Sequence, residues 1–590
     1  MSVSSDQVAR IFREMADFLS LKGENPFRVR AYEKAADALE HLPGDLKELY
    51  EQGKLKGVPG LGKGMLEKIG TILSTGKLPA YEELKREFPE GVRELLSIPD
   101  IGPKTVKLVY EKIGVRNVQE LEAAVRSHKL RNLPGMGAKT EENILRGIRL
   151  YRMSRNRVLL GKALPLVEQI LRELREKASP WIEMISPAGS LRRGKETIGD
   201  IDILVSSTNS RPVMDAFTHL SPVKDVLARG ETKSSILTQS SLQIDLRVVP
   251  PESFGAALQY FTGSKAHNIA LRERAIKKNL KINEYGVFAE NGKRIGGRTE
   301  EEVYACLDLP LIPPELREDR GEIEAAEKGK LPLLLKEEDI KGDLHIHSTA
   351  SDGTSSIEEL VEKAKERGYE YIAITDHSVS LRVGRGLSGE DLLAQVRKIR
   401  KMNSRLEGFR ILAGSEVDIR KDGTLDYPDE ILKELDIVVI SLHSGFRQDK
   451  KTITARVIKA MQNPFVRVFA HPTGRLLGER EPYSIDLDKI LEVAREKNIW
   501  LEINAQPQRL DLNDIWVMEA KKRGVRLVIN TDAHNKDGLD LMSFGVITAR
   551  RGWLEAKDVI NTLPLKELLK LLKKTTLEGG NLRLPPIPSE

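Results

Sequence analysis

Gly189-Ser-Leu-Arg-Arg-Gly194, followed by Gly199-Asp-Ile-Asp202, is the most informative stretch of the chain. Asp200 and Asp202 alternate along an apolar run, Ile198, Ile201, Ile203, Leu204 and Val205, which reads as a β-strand. Residues two apart on a strand face the same side, so two carboxylates project together. They repel each other unless a divalent cation lies between them. Hard oxygen ligands of this kind suit Mg²⁺ or Mn²⁺ shared with substrate phosphates. Ser190, Arg193 and Gly199 around them read as phosphate-binding donors.

A third carboxylate, Asp245 in Gln243-Ile-Asp-Leu-Arg247, sits on a second strand-like alternation. Three carboxylates on adjacent strands can hold two cations about 3.5–4 Å apart, the arrangement of two-metal phosphoryl transfer. On that reading Asp245 orients or deprotonates an attacking hydroxyl, and Asp200 and Asp202 bridge the ions. Ser190 and Arg193 then neutralise phosphate oxygens, so catalysis is mostly positioning and electrostatics.

Outward from this motif, the 590-residue length implies several structural units rather than one core. Hydrophobic and charged contents of 40% and 31% fit a globular protein. The longest apolar runs, such as Ile437-Val-Val-Ile-Ser-Leu442, are strand-sized and far short of a membrane span. The start, Met-Ser-Val-Ser-Ser-Asp, lacks the basic and apolar regions of a secretory signal. A single cysteine, Cys306, excludes a disulfide framework and suits a reducing cytoplasm. Net charge is +6 but unevenly spread: residues 101–160 hold 13 Lys/Arg against 5 Asp/Glu, which favours a polyanionic partner.

That basic region lies within a repeat. Val58-Pro-Gly-Leu-Gly62, Ile98-Pro-Asp-Ile-Gly102 and Leu133-Pro-Gly-Met-Gly137 each precede a helical apolar pattern, with Lys63, Lys104 or Lys139 close behind. Gly60, Gly62, Gly102, Gly135 and Gly137 permit tight turns that offer backbone N–H groups and a helix N-terminus to an anion. Such hairpins grip nucleic-acid phosphates without reading sequence. One copy would be an ordinary helical corner; three copies argue for phosphate-backbone binding.

Residues 1–155 read as mostly helical, and 156–250 as a helix (164–174) followed by strands at 183–185, 201–206 and 242–249. Residues 313–343 are charged and proline-punctuated, the texture of a linker. Beyond it, strands at 371–375, 411–413, 437–441, 466–470, 499–503 and 525–529 alternate with helices such as 357–367, 391–402 and 515–522. That rhythm argues for a parallel α/β barrel.

Six of the ten histidines fall after residue 340, at or just past the ends of expected strands. They are His345, His347, His377, His443, His471 and His534, with Asp352, Glu416 and Asp532 nearby. Barrel chemistry gathers at the C-terminal ends of the strands. A His-rich, carboxylate-bridged set suits Zn²⁺ or Mn²⁺, and nine ligands exceed the needs of one ion, so two or three ions are expected.

Gly189–Asp202 together with Tyr260-Phe-Thr-Gly-Ser264, Asn268, Arg272 and Ile282-Asn-Glu-Tyr285 resembles the family X DNA polymerases over residues 1 to about 318. The likeness implies that Tyr260, Phe261 and Gly263 line the nucleotide's sugar pocket, that Asn268 touches the base edge and that Arg272 faces the template. Lys265 stands where gap-filling eukaryotic relatives carry an acid. Lys68 matches the position of a Schiff-base lyase nucleophile, but Gly64 replaces a supporting lysine, which leaves an electrostatic contact as the plainer role.

Residues 341–575 resemble PHP (polymerase and histidinol phosphatase) domains. By that likeness His345, His347, Glu416 and Asp532 share one metal, Glu416, His443 and His471 a second, and Asp352, His377 and His534 a third. The paired resemblances imply a multidomain chain. A helix-hairpin-helix region is expected at 1–86 and 87–155, an α+β palm at 156–250 and a thumb at 251–318. A linker at 319–340, a distorted (β/α)7-type PHP barrel at 341–575 and a tail at 576–590 follow. They also imply a cytoplasmic, nucleoid-associated monomer that binds gapped or primed DNA and dNTPs. Its barrel would cleave 3′-ends by exonuclease, phosphatase or abasic-site endonuclease action. Two other roles for the barrel stay open, a silent metal-stabilised scaffold and a small-molecule phosphatase.

Overall fold

The computed structural model describes residues 5–40, 46–58, 60–98, 101–154, 157–240, 242–381, 384–477 and 480–577. The hairpin residues Pro59, Pro99 and Asp100, and 578–590 of the tail, lie outside the described residues. The chain forms two compact units, Met1–Arg157 and Val158–Glu590.

The first unit is helical, and one apolar core, including Phe12, Phe18, Tyr32, Ile72, Val109, Leu121 and Ile148, runs through it. Its helices carry their own start and stop signals. In Pro103–Ile113, Pro103 occupies the first turn, Val106 and Val109 face the core, and left-handed Gly114 donates to Tyr110 O and Val109 O. Proline at the start and glycine at the end place the penalties of both residues where the helix has no bond to lose.

In the second unit, β1 (Val158–Leu159) pairs with β3 (Thr197–Ile198) beside a five-stranded sheet. That sheet contains β2 (Met184–Pro187), β4 (Ile201–Ser206), β5 (Val223–Arg229), β6 (Lys233–Thr238) and β7 (Gln243–Val249), in the order β2-β4-β7-β6-β5. Only β4 and β7 run parallel. Neither β5 nor β6 is legible as an apolar run, because β5 is largely exposed and β6 is rich in serine. Helices Phe254–Thr262 and Lys265–Lys277 lead to a small sheet of β8 (Leu280–Asn283), β9 (Gly286–Ala289) and β10 (Arg294–Gly296).

The segment 319–340, read from its charge as a linker, is packed along part of its length. It holds a helix, Glu322–Glu327, and buries Ile323, Ala326, Leu334 and Leu335. Its charges have partners. Glu322 accepts from Asp319 N and Arg320 N and meets His267 Nδ1 at 2.6 Å, while His267 Nε2 lies 2.8 Å from Tyr304 Oη. Charge density marked this segment as soluble; paired charge let it be buried.

The barrel contains β11 (Gly342–Ile346), β12 (Tyr371–Ile374), β13 (Arg410–Asp418), β14 (Ile437–Ser441), β15 (Val466–Phe469), β16 (Trp500–Asn504) and β17 (Leu527–Asn530). All neighbours are parallel and in chain order. Strand β11 escaped the apolar-run reading because Asp343 and His345 interrupt its pattern, although every residue in it is buried. Inward side chains such as Leu344, Tyr371, Leu412, Val439, Val468, Trp500 and Val528 form one core, closed by Leu568 and Leu572 of the helix Leu565–Leu577. A larger core lies between strands and outer helices.

Asn561 fastens the seam where β11 meets β17. Its Nδ2 donates to Gly342 O at 2.7 Å and Ile529 O at 2.6 Å, and its Oδ1 accepts from Ile529 N at 3.1 Å. Replacing a fully buried amide that satisfies three backbone groups leaves all three without partners. Asn561→Ala should therefore destabilise the unit by roughly 3 kcal/mol or more, measured as a lowered denaturation midpoint.

Candidate metal centres of the palm and the barrel

In the five-stranded sheet, parallel pairing of β4 with β7 sets Asp202 directly beside Asp245. Asp200 stands one residue before β4. Asp245 also meets Lys233 Nζ at 2.6 Å and accepts from Gln243 Nε2 at 2.9 Å. The sequence did not single out Lys233; only the β6–β7 pairing brings it near. The loop above Asp202 comes very close: a Cβ at Gly189, whose φ is +63°, would lie 2.9 Å from Asp202 Oδ2. Glycine there is a steric requirement of the carboxylate beneath it.

Burial, then the charges of Asp200 and Asp245, push the Asp202 carboxyl up to about 6. Asp202 therefore resists ionisation beside its two neighbours, a repulsion that divalent cations relieve.

Ser190 lies in the short helix Gly189–Arg192, and Arg193 follows it. Arg193 Nε donates to Glu318 Oε1 at 3.0 Å and its Nη1 to Thr262 O, so this arginine is fixed from one side. Arg192 makes a bidentate pair with Glu300, at 2.9 and 2.6 Å. Tyr260 and Phe261, at the end of Phe254–Thr262, pack edge-on with centroids 5.1 Å apart. Arg247 lies 4.5 Å from the Phe261 ring and Arg272 5.9 Å from the Tyr260 ring. Asn268 donates to Tyr260 O and accepts from Gln259 Nε2, each at 2.7 Å, so its amide is held in one orientation.

The barrel brings all nine of its expected ligands to the C-terminal end of the strands. Glu416 is their centre. Its Oε1 lies 3.0 Å from His471 Nε2 and 3.5 Å from His443 Nε2, and its Oε2 lies 2.8 Å from His377 Nδ1 and 3.4 Å from His345 Nε2. His347 Nε2 is 3.2 Å from Asp532 Oδ1. Asp352 reaches His377 Nε2 and His534 Nε2, both at 3.4 Å.

Three groups offer ligand atoms within 4.8 Å of one another. They are His345, His347 and Asp532; His377, Glu416 and His443; and His347, Asp352, His377 and His534. His377 and His347 each fall in two groups, Glu416 falls with His377 and His443 rather than with His345, His347 and Asp532, and His471 joins none of the three, so the grouping differs from the family-based allocation.

Whether these residues fit metal can be judged from their unmet bonding. His345 Nε2, both ring nitrogens of His347, His377 Nδ1 and Glu416 Oε2 are buried without a hydrogen-bond partner. The 2.8 Å approach of His377 to Glu416 lacks hydrogen-bond alignment, so proximity alone does not satisfy either atom. Orphaned donors and acceptors converging on common points are costly unless cations lie there. The set fits metal.

Outer contacts aim these ligands. His345 Nδ1 lies 2.7 Å from Glu502 Oε1, His443 Nδ1 lies 2.9 Å from Asp418 Oδ1, and Asn504 Nδ2 donates to Asp532 Oδ2 at 3.0 Å. Burial works against charge on His345, but Glu502, Asp532 and Glu416 outweigh it and hold its pKa well above the usual histidine value. Glu502 and Asp418 were not legible as functional, because each lies within a strand and neither neighbours a histidine in sequence. Asp343 and Asp376, close to ligands in sequence, bond instead to Thr531 and to Ser348, Ser351 and Gln395.

In the helical unit the three turns are alike. Leu61 N, Ile101 N and Met136 N bond back to Val58 O, Ile98 O and Leu133 O at 3.0–3.2 Å. Gly62 and Gly102 cap the following helices without a side-chain hydrogen bond. Gly60 and Gly135 take positive φ. Lys63, Lys104 and Lys139 then fall in the first turn of Lys63–Thr75, Pro103–Ile113 and Ala138–Ser154. Lys68 Nζ donates to Gly64 O at 3.0 Å and lies 5.6 Å from the Tyr32 ring.

The matches to known families follow the same division. Residues 4–78 match the helix-hairpin-helix domain and 92–150 the SAM-like helix-hairpin-helix tandem. Residues 257–318 match the DNA polymerase beta thumb, and 343–506 the PHP domain. A Bacillus subtilis (strain 168) protein named DNA polymerase/3′-5′ exonuclease PolX is 42% identical over 572 residues, 96% of this chain and 99% of its own. The chain belongs to the bacterial family X DNA polymerases that carry a PHP domain. Rat DNA polymerase lambda is 26% identical over 334 residues, covering 52% of this family X chain and 54% of its own length. A protein of Caldanaerobacter subterraneus subsp. tengcongensis, named a probable phosphatase, is 32% identical over 218 residues, 35% of this chain and 79% of its own. Among the described residues no helix is long and apolar enough to cross a membrane.

Two measurements test the centres. Ionising Asp202 in the metal-free fold costs roughly 3 kcal/mol at neutral pH, a cost that fades as pH falls through about 6 toward 3.8. Asp202→Asn should therefore raise the thermal midpoint in EDTA at pH 7.5, with the gain shrinking as pH falls below about 6. For the barrel, adding Mn²⁺ or Zn²⁺ to chelator-stripped protein should raise the midpoint by mass action. His345→Ala with His347→Ala should remove most of that shift.

Proposed function

We propose that this family X polymerase fills short gaps in damaged DNA and that its barrel trims or unblocks 3′-ends. The observation that carries the reading is the pair of separate carboxylate centres in one unit: Asp202 in register with Asp245, and the cluster of six histidines, Asp352 and Asp532 around Glu416. The three hairpins hold DNA phosphates through backbone N–H groups and Lys63, Lys104 and Lys139. Asp245 orients the primer 3′-hydroxyl, and Asp200 and Asp202 face the triphosphate. Ser190 and Arg193 take its oxygens. Tyr260, Phe261 and Gly263 border the sugar, Asn268 the base edge, and Arg272 the template side. Mg²⁺ or Mn²⁺ at the aspartates would supply Lewis-acid stabilisation of the charge that builds on the phosphates.

At the barrel, Zn²⁺ or Mn²⁺ held by the histidines, Glu416 and the aspartates would supply an activated water for phosphoester cleavage. Glu502 and Asp418 keep His345 and His443 oriented, and the closed wall of β11–β17 leaves the C-terminal strand ends as the reaction face. A 3′→5′ exonuclease is the leading activity, with 3′-phosphatase or abasic-site cleavage on the same centre. Lys68 is assigned an electrostatic contact with DNA rather than a lyase role. The protein is proposed to work as a cytoplasmic monomer at the nucleoid.

A 5′-labelled gapped primer–template, with Mg²⁺ or Mn²⁺ and with or without dNTPs, tests both heads at once. Asp200→Ala with Asp202→Ala should reduce nucleotide addition by at least about 10³-fold and leave 3′ trimming intact, on the scale expected when a central electrostatic contribution is removed. His345→Ala with His347→Ala should do the reverse. Loss of both activities in either variant would rule out separate centres, and bound metal without cleavage in Mn²⁺ would favour the scaffold role. Preference for a small phosphomonoester over a DNA 3′-end would favour the phosphatase role.

A further inference from the structure

We infer that Arg551, at the end of the barrel helix Met542–Arg551, is a positioning residue for nucleotide binding in the palm, acting on Arg193 through Glu318. The inference rests on the reading of Arg193 as a triphosphate ligand.

The barrel grips the phosphate loop at three nearby residues. Arg551 Nη1 donates to Arg193 O at 2.6 Å. Gly194, with φ +64°, lies so close to the same helix that a Cβ there would sit 2.3 Å from Ile547 Cγ2. The Glu196 carboxylate takes both terminal nitrogens of Arg475, at 3.3 and 2.6 Å, from the loop that follows His471. A loop held this way has little freedom to shift its backbone.

The side chain of Arg193 is held through the same contact. Glu318 Oε1 accepts from Arg193 Nε at 3.0 Å and from Arg551 Nη1 at 3.1 Å, so one carboxylate oxygen joins both arginines. Arg551 is anchored in turn by Asp514 Oδ2, 2.6 Å from its Nη2, which also accepts from Arg320 Nη1 at 3.1 Å. Side-chain exposures are 4% for Arg551, 7% for Glu318 and 13% for Arg193, so water screens these pairs weakly. Burial would raise the Glu318 carboxyl, but Arg551, Arg193 and Lys195 hold it down at about 2, and it stays ionised.

The charge balance explains the effect on Arg193. With Arg551 removed, ionised Glu318 would keep only Arg193 and the more distant charge of Lys195, and would draw the Arg193 guanidinium toward itself and away from the triphosphate. With Arg551 in place, Glu318 divides its charge between two arginines, and Arg193 Nη2 keeps no protein partner among the described residues. Arg551 therefore sets both where the phosphate ligand sits and how much of it is free.

The test uses the full chain on a gapped primer–template and measures KM and kcat for a dNTP, inhibition by pyrophosphate, Mn²⁺-dependent 3′ trimming and thermal midpoint. Arg551→Gln should raise the dNTP KM about 10- to 100-fold with kcat changed far less, the scale of one lost hydrogen bond to a charged phosphate. Inhibition by pyrophosphate should weaken in parallel, while trimming persists, and Arg551→Lys should recover part of the loss. Should Arg551→Gln fail to fold, Glu318→Gln carries the test: it keeps the shape but removes the shared charge, and should likewise shift KM. An unchanged KM in a folded variant, or a joint fall of KM-independent polymerase rate, trimming and midpoint, overturns the inference. Arg193→Gln separates the two layers. If it leaves the dNTP KM unchanged, the phosphate reading fails; if it raises KM while Arg551→Gln does not, only the positioning role fails.

Discussion

Carboxylates in this protein are pressed together against their own repulsion, and much of the second unit is arranged to keep them there. Asp202 and Asp245 cannot move apart, because the parallel register of β4 and β7 fixes their Cα atoms side by side. Glu416 is fixed more firmly still, within a nine-residue strand and with four histidines within 3.5 Å of its two oxygens. A flexible scaffold would relax such crowding by rotating side chains to solvent. Strands β4, β7 and β13, each paired on both edges, hold these residues in place, so the strain is relieved by protons, by Lys233 at one centre, or by metal ions.

The same rigidity joins the two centres mechanically. Leu510 and Phe544 of the barrel side are part of the palm core that also holds Leu160, Ile203 and Leu246. The charged network of Arg193, Glu318, Arg551 and Asp514 runs beside that apolar contact, and Arg475 pairs with Glu196 nearby. Apolar surface supplies adhesion between the parts, whereas the buried charges define one relative placement, since any slip would leave an ion unpaired. Palm and barrel accordingly behave as a single body rather than two domains on a tether, and the packing of 319–340 follows from the same pairing of charge.

Legibility varied with the kind of pattern. The strand bearing Asp202 was readable because its apolar alternation is intact, and the nine barrel residues that converge at the strand ends were readable because histidines at successive strand ends are rare by chance. Strand β11 was obscured by the acid and histidine it buries. Glu502, Asp418 and Lys233 were invisible for a different reason: each serves a group carried on or beside another strand, and no local pattern records such a partnership. The charged segment 319–340 misled because composition reports the presence of ions, not whether they are paired.

By itself, then, the sequence determined which chemistry the chain carries: paired aspartates, repeated glycine hairpins and a histidine set are local facts of residue type and spacing. Tertiary structure alone decided how those groups are shared and aimed. The division of His347 and His377 among neighbouring metal groups, the lysine beside Asp245 and the joint hold of Arg193 and Arg551 on Glu318 all depend on strand register and burial. Those are set by packing between residues that lie from a dozen to more than two hundred positions apart, which no local pattern of residue types records.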